Sequence, residues 1–97
     1  MTNYRFTFSA VAELRAAILY YEEQENELRT AFLDEVEATL QRILHNPNAW
    51  NPLYERSRCC RTHRLPFGLI YQIRTEEILI TAVMDLRRDP QHWRDLL

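Results

Sequence analysis

The side chains with the most chemical potential lie in the last third of the chain. Arg87 and Arg88 form a doubled arginine, Arg94 follows, and Arg61 and Arg64 stand on an earlier strand-like run. A guanidinium cluster suits phosphate or carboxylate, because each group is a planar fork of donors that stays charged. The competing role is a solvated strand end paired with Asp85, Asp89 and Asp95. His92 and Trp93 come next. They read either as a proton-transfer group beside a ring on which a base can stack, or as a tail anchored by Trp burial. His63 sits among Arg58, Arg61 and Arg64, where it is an exposed His able to assist a basic surface.

Other chemistries find no support. Cys59-Cys60-x-x-His63 is not a metal site. Adjacent residues on a strand face opposite ways, and the remaining ligands are missing. No cofactor is expected. Paired carboxylates and a nucleophile elbow are not found, and the single glycine, Gly68, argues against a phosphate-cradling loop. The two cysteines are neighbours and do not bridge each other, so free thiols in a reducing cytoplasm are expected. No apolar run approaches membrane-spanning length, and the start of the chain alternates instead of running apolar as a signal peptide would.

Charge is unevenly spread. Residues 1–55 carry four Arg against nine acids, a balance of −5, while residues 56–97 carry eight Arg against five, a balance of +3. All twelve strong cations are Arg, with no Lys. The basic half is the candidate for contact with phosphate or an acidic protein.

The elements that must position these groups follow from periodicity. Ninety-seven residues make one domain, 1–97, able to bury roughly two thirds of its unfolded surface. Tyr4, Phe6 and Phe8 alternate with Arg5 and Thr7, which predicts a strand, with Ser9 as the cap of a following helix. Val11, Leu14, Ile18 and Tyr21 form the apolar face of that helix, and Tyr20 lies off it. Residues 24–27 read as a short turn. Phe32, Leu33, Val36, Leu40, Ile43 and Leu44 form the stripe of a second helix, stopped by Asn46-Pro47. Residues 46–57 read as a packed-down loop holding Trp50, Leu53 and Tyr54. Strands are expected at about 58–65, 68–75 and 77–84, joined by short turns as antiparallel hairpins. Strict alternation in the last places Ile78, Ile80, Ala82 and Met84 on one face, Leu79, Thr81 and Val83 on the other. The tail from Pro90 can form a turn of helix. The fold class is α+β: an N-terminal strand, an antiparallel helix hairpin and a three-stranded antiparallel run in one small sheet.

Taken in order, Tyr20-Tyr21-Glu22, Phe32-Leu33-x-Glu35-Val36-Glu37, Ile43-x-x-Asn46-Pro47, Arg64-Leu65-Pro66-Phe67-Gly68-Leu69-Ile70-Tyr71 and Ala82-Val83-x-x-x-Arg87-Arg88-x-Pro90-x-His92-Trp93 resemble the ParE-like branch of the RelE/ParE toxins. The resemblance implies the toxin half of a type II toxin–antitoxin pair, encoded beside its antitoxin and forming a hetero-oligomer with it. It implies an antitoxin segment wrapped across helices and sheet. An acidic stretch would cover Arg87 and Arg88, and Tyr20, Leu69, Tyr71 and Met84 would line an apolar groove between hairpin and sheet.

Within that superfamily, ParE-like members poison DNA gyrase and RelE-like members cut mRNA in the ribosome. RelE-type toxins use Lys and Arg on the sheet, including an Arg just before a Leu-Val-Tyr-Gln-like strand. Gly68 stands at that position here, and the chain has no Lys. The expectation is therefore gyrase binding through Arg61, Arg64, Arg87, Arg88, His92, Trp93 and Arg94. The alternative is a ribonuclease with Arg61, Arg87 and Arg88 around the phosphate and His92 or His63 moving the proton. A third possibility is an inactive scaffold that only binds antitoxin.

Overall fold

The computed structural model describes residues 3–87. The order is β1 (Tyr4–Phe6), α1 (Phe8–Gln24), α2 (Asn26–His45), β2 (Asn51–Pro52), β3 (Ser57–Arg61), β4 (Phe67–Ile73) and β5 (Ile78–Asp85). The strands form one mixed sheet in the order β1-β5-β4-β3-β2. β1 runs parallel to β5, with Tyr4 opposite Ile78 and Phe6 opposite Ile80, while the other neighbours are antiparallel. A parallel neighbour requires a crossover, and the helix hairpin supplies it. The expected α+β class holds, and the sheet has one strand more than periodicity shows. That strand, β2, is two residues at an edge, too short to leave a period. Its Pro52 suits an edge because it has no N–H for a further neighbour.

The strand-to-helix junction lies two residues earlier than Ser9. The Thr7 N–H donates to the Ile80 carbonyl at 3.0 Å, extending the β1–β5 ladder. Its hydroxyl accepts from the Ala10 N–H at 3.1 Å and donates to the Thr81 carbonyl at 3.4 Å. Thr7 thus ends the strand and caps α1 at once. Phe8, expected as a strand residue, becomes the first helical residue and points to solvent, 97% exposed.

Glu25 alone separates the helices, in extended conformation. α1 packs over β5, and α2 over β3 and β4. Ala10, Ala17 and Tyr21 from α1 meet Phe32, Val36, Leu40, Ile43 and Leu44 from α2 above the sheet. Leu33 is only half buried. The rings of Tyr21, Phe32 and Phe67 form a triangle with centroids 5.0–5.9 Å apart. In the connection from α2 to β3, Trp50 and Leu53 are half buried and Tyr54 is exposed.

β5 departs from strict alternation. Ile70 pairs with Ala82 but Tyr71 pairs with Ile80, so Thr81 is an extra residue with no partner in the register. This bulge inverts the facing pattern of everything after it. Ile78, Ile80 and Val83 lie in the core under the helices, while Ala82 and Met84 join Cys59 and Ile70 on the opposite face. The Thr81 hydroxyl donates to the Ile70 carbonyl at 3.3 Å across the bulge. Among the described residues no strand lies beside the outer edge of β5 beyond Thr7, and Glu13 of α1 accepts the Val83 N–H there at 3.0 Å. The two cysteines are free and both buried: Cys60 lies under the helices, Cys59 on the other face.

Candidate functional site

The turn between β3 and β4 carries three of the chemically promising residues, and α2 holds it. Glu35 accepts the backbone N–H groups of His63 and Arg64 on one carboxylate oxygen, each at 2.8 Å. Arg42 donates to the Arg61 carbonyl at 2.6 Å and to the Thr39 hydroxyl at 3.1 Å. Inside the turn, the Thr62 hydroxyl contacts the Leu65 and Phe67 carbonyls. The Leu86 N–H donates to the Pro66 carbonyl at 2.8 Å, which brings the end of β5 alongside. With the backbone satisfied from behind, the Arg61, His63 and Arg64 side chains are left exposed.

Arg87 completes a hollow of about 380 Å³ lined by Arg61, Thr62, His63, Arg64, Leu65, Pro66, Leu86 and Arg87. Tertiary structure therefore brings Arg61, Arg64 and Arg87 to one place, with His63 among them. Their charges are not equivalent. Arg87 makes a two-pronged pair with Asp85, Nε to Oδ1 at 3.0 Å and Nη2 to Oδ2 at 2.7 Å, and its N–H donates to the same Oδ1 at 3.0 Å. Those bonds, and the charge behind them, hold the Arg87 proton more tightly than usual. Arg61 and Arg64 have no carboxylate within ion-pair distance among the described residues. Among the described residues they are the unpaired positive charge of the hollow. Arg88, His92, Trp93 and Arg94 lie outside the described residues, as does the tail expected from Pro90.

The end of α1 meets this hollow. Burial raises the Tyr21 phenol above its usual range, with Arg87 opposing and Asp85 adding to the shift. Tyr20 stacks edge-on against Tyr21 at 5.3 Å between centroids and is 46% exposed.

The groove expected between hairpin and sheet is filled. Leu69 and Tyr71 are fully buried under the helices, so they are core and not surface. The Tyr71 hydroxyl donates to the Pro47 carbonyl at 2.5 Å, and burial pushes it up to about 12. Met84 is buried on the other face, turned there by the bulge. Of the antitoxin-contact candidates, Tyr20 and Arg87 are on the described surface. Sequence reasoning missed Glu35, whose value lies in a fold-dependent reach to residues 63 and 64. It also missed Phe8 and Leu19, which share the outer face of α1.

Gly68 has a steric explanation. A Cβ there would lie 2.8 Å from Cys59 Sγ and 3.4 Å from both Leu86 methyls. Any side chain at this position would require the Cys59 sulfur to shift. A larger open cleft of about 890 Å³ lies at the C-terminal end of α2, lined in part by Tyr4, Arg42, His45 and Trp50. Among the described residues no group of three His, Cys, Asp or Glu can hold a metal ion, and no helix is long and apolar enough to cross a membrane.

Comparison with known proteins gives a consistent result. The family described as the ParE toxin of type II toxin–antitoxin system, parDE, matches residues 4–90. No curated protein matches. Among solved structures, a chain of the chromosomal ParDE TA system from P. aeruginosa superposes with a TM-score of 0.76 at 20% identity, covering 89% of this chain and 97% of that one. Since the family match spans nearly all of the sequence, including both helices and every strand, this chain belongs to the ParE toxin family of type II toxin–antitoxin systems.

Proposed function

We propose that this chain is held inactive by an antitoxin and, when released, arrests growth by binding DNA gyrase through the cationic hollow. One observation carries the reading. Among the described residues Arg61 and Arg64 stand without an ion-pair partner beside Arg87, on a turn whose backbone α2 satisfies. That is a preformed anionic-partner surface, and preorganised arginine forks bind carboxylate or phosphate with little further ordering. Gyrase as the target is what the resemblance to ParE-like toxins implies. In the sequence Arg88, His92, Trp93 and Arg94 follow Arg87.

The closed position at Gly68 argues against RelE-type RNA cleavage, which places a cationic side chain there. His63 in the same hollow keeps a ribonuclease as the second reading. In that case His63 or His92 moves the proton of the attacking 2′-hydroxyl, and Arg61, Arg87 and Arg88 steady the charge on phosphorus. Expression without antitoxin separates the two. Cleaved-DNA complexes trapped on gyrase with intact mRNA support the first. Mapped mRNA cuts without DNA breaks replace it with the second. Unimpaired growth leaves only antitoxin binding.

A further inference from the structure

The open cleft at the C-terminal end of α2 holds a charge that the fold leaves unanswered. Arg42 lines it half buried, its guanidinium carbon 6.0 Å from the centre of the Trp50 ring. Arg42 Nη2 donates to the Arg61 carbonyl and the Thr39 hydroxyl, both neutral acceptors. Among the described residues its buried Nε has no hydrogen-bond partner, and no carboxylate lies within ion-pair distance of the guanidinium. Burial raises the Cys60 thiol against the opposing pull of Arg42, so that thiol stays protonated and supplies no counter-charge. A guanidinium drawn out of water ordinarily meets an anion, because neutral oxygens replace only part of its hydration.

We propose that this cleft binds a nucleotide, with the phosphate paired to Arg42 and the base laid against Trp50. The other walls say what the anion must carry. Half-buried Trp50 and Tyr4, 47% exposed, offer ring faces. Gln41, His45 and Asn46 are exposed polar groups beside them, and no Asp or Glu is among the described lining residues. Gln41 Nε2 donates to Glu37 at 3.1 Å, which leaves the Gln41 carbonyl oxygen turned to acceptance. An aliphatic acid would use Arg42 and leave the rings idle. A phosphate joined to a flat, polar-edged ring uses the guanidinium, the rings and the amides together. The carbonyls that end a helix repel an anion. Here the Arg42 carbonyl accepts from the Asn46 N–H at 3.1 Å and from Trp50 Nε1–H at 3.3 Å, and the Asn46 carbonyl accepts from the Ala49 N–H at 3.1 Å. The cleft volume of about 890 Å³ is of the size that small-molecule sites have. The site is separate from the cationic hollow, although Arg42 joins the two through the Arg61 carbonyl.

The test titrates adenosine 5′-monophosphate into the full chain and follows the Trp50 indole N–H resonance, identified by its loss in Trp50→Leu. A saturable shift with a Kd of about 0.1 mM is expected, with adenosine and inorganic phosphate each about tenfold weaker. Tyr4→Ala and Trp50→Leu, checked for folding by circular dichroism, should each weaken binding about tenfold by calorimetry. Arg61→Gln with Arg64→Gln should leave it unchanged. A 5′-phosphorylated oligodeoxyadenylate that binds more tightly than the mononucleotide makes a strand end the natural ligand; equal or weaker binding makes it the free nucleotide. No shift at about 5 mM nucleotide overturns the proposal, and so does inorganic phosphate binding as well as the nucleotide. Unchanged affinity in both ring variants overturns it too. Loss of binding in the Arg61/Arg64 variant would place the phosphate in the hollow and overturn it as well. The gyrase reading does not depend on any of these results.

Discussion

At Gly68 the side chain is missing because Cys59 occupies its space. The two residues lie on paired strands, with Arg61 opposite Gly68, and the Cys59 sulfur leans across. Gly68→Ala should cost about 1–3 kcal/mol through overpacking of a closed interior. Cys59→Ala removes the obstructing sulfur, so the double variant should recover part of that loss. Urea unfolding of the single and double variants measures the coupling, and strictly additive costs would show that the clash is not the cause. Arg87 illustrates a different residue-level point. Its geometry with Asp85 is good, but both groups are near solvent, so the pair orients the guanidinium more than it stabilises the fold. Asp85→Asn should leave the unfolding midpoint nearly unchanged while strengthening binding to an acidic partner. Binding measured at several salt concentrations checks this.

At the scale of elements, the cationic turn owes its shape to α2. Glu35 accepts two turn amides that no other described residue satisfies, and it does so across 28 and 29 residues of sequence. Glu35→Ala should speed hydrogen exchange at the His63 and Arg64 amides. Because the turn is open to water, the loss of stability should be only about 1 kcal/mol. Growth inhibition should fall more than stability does, since Arg61 and Arg64 would lose their fixed spacing. Glu35→Gln keeps a carbonyl acceptor and should restore most of it. Unchanged exchange at those two amides would remove Glu35 from the account. The same logic applies to β5, where Glu13 stands in for a missing strand at Val83. A helix carboxylate there covers an edge that would otherwise invite pairing.

For the whole molecule, both faces of the sheet are apolar and covered, which places thiols and phenols out of water. Burial first, then the neighbouring Cys60, pushes the Cys59 thiol from 9.0 up to about 11, with Arg61 opposing. Burial likewise raises Tyr71 from 10.0 to about 12. Both groups are held protonated, so their contribution is complete below the unfolded values and is lost as pH rises through the folded ones. Stability should therefore fall from about pH 9 upward, by about 1.4 kcal/mol per pH unit for each group in its window. In Cys59→Ala the slope between pH 9 and 11 should be shallower. Urea midpoints across that range decide it, and identical slopes would remove Cys59 as a contributor. The proposed target binding rests on the opposite surface property. Arg61→Glu with Arg64→Glu changes the charge of the hollow by four and leaves the core untouched. Growth inhibition should disappear with the fold intact by circular dichroism; full toxicity would move the target-binding surface elsewhere.

Some of this was legible from the residues alone. Helix positions follow from 3.6-residue periodicity, since an amphipathic helix must repeat its apolar side chains wherever it packs. The three long strands follow from β-rich runs between turn residues, and the basic turn and doubled arginine follow from composition. The ordered motifs also pointed to the family that the comparison establishes. Other features existed only in the folded chain. The bulge at Thr81 exchanges the faces of Ala82 and Val83, and a period-two reading carries no mark of where a register slips. Leu69 and Tyr71 are apolar whether they line a groove or fill a core; the helices packed over them decided which. Phe8 reads as a strand residue until the Thr7 N–H pairs with Ile80 and ends the strand before it. Glu35 is one carboxylate among many until α2 sets it behind the turn. Each of these depends on a contact between residues far apart in sequence, and local pattern has no term for such a contact.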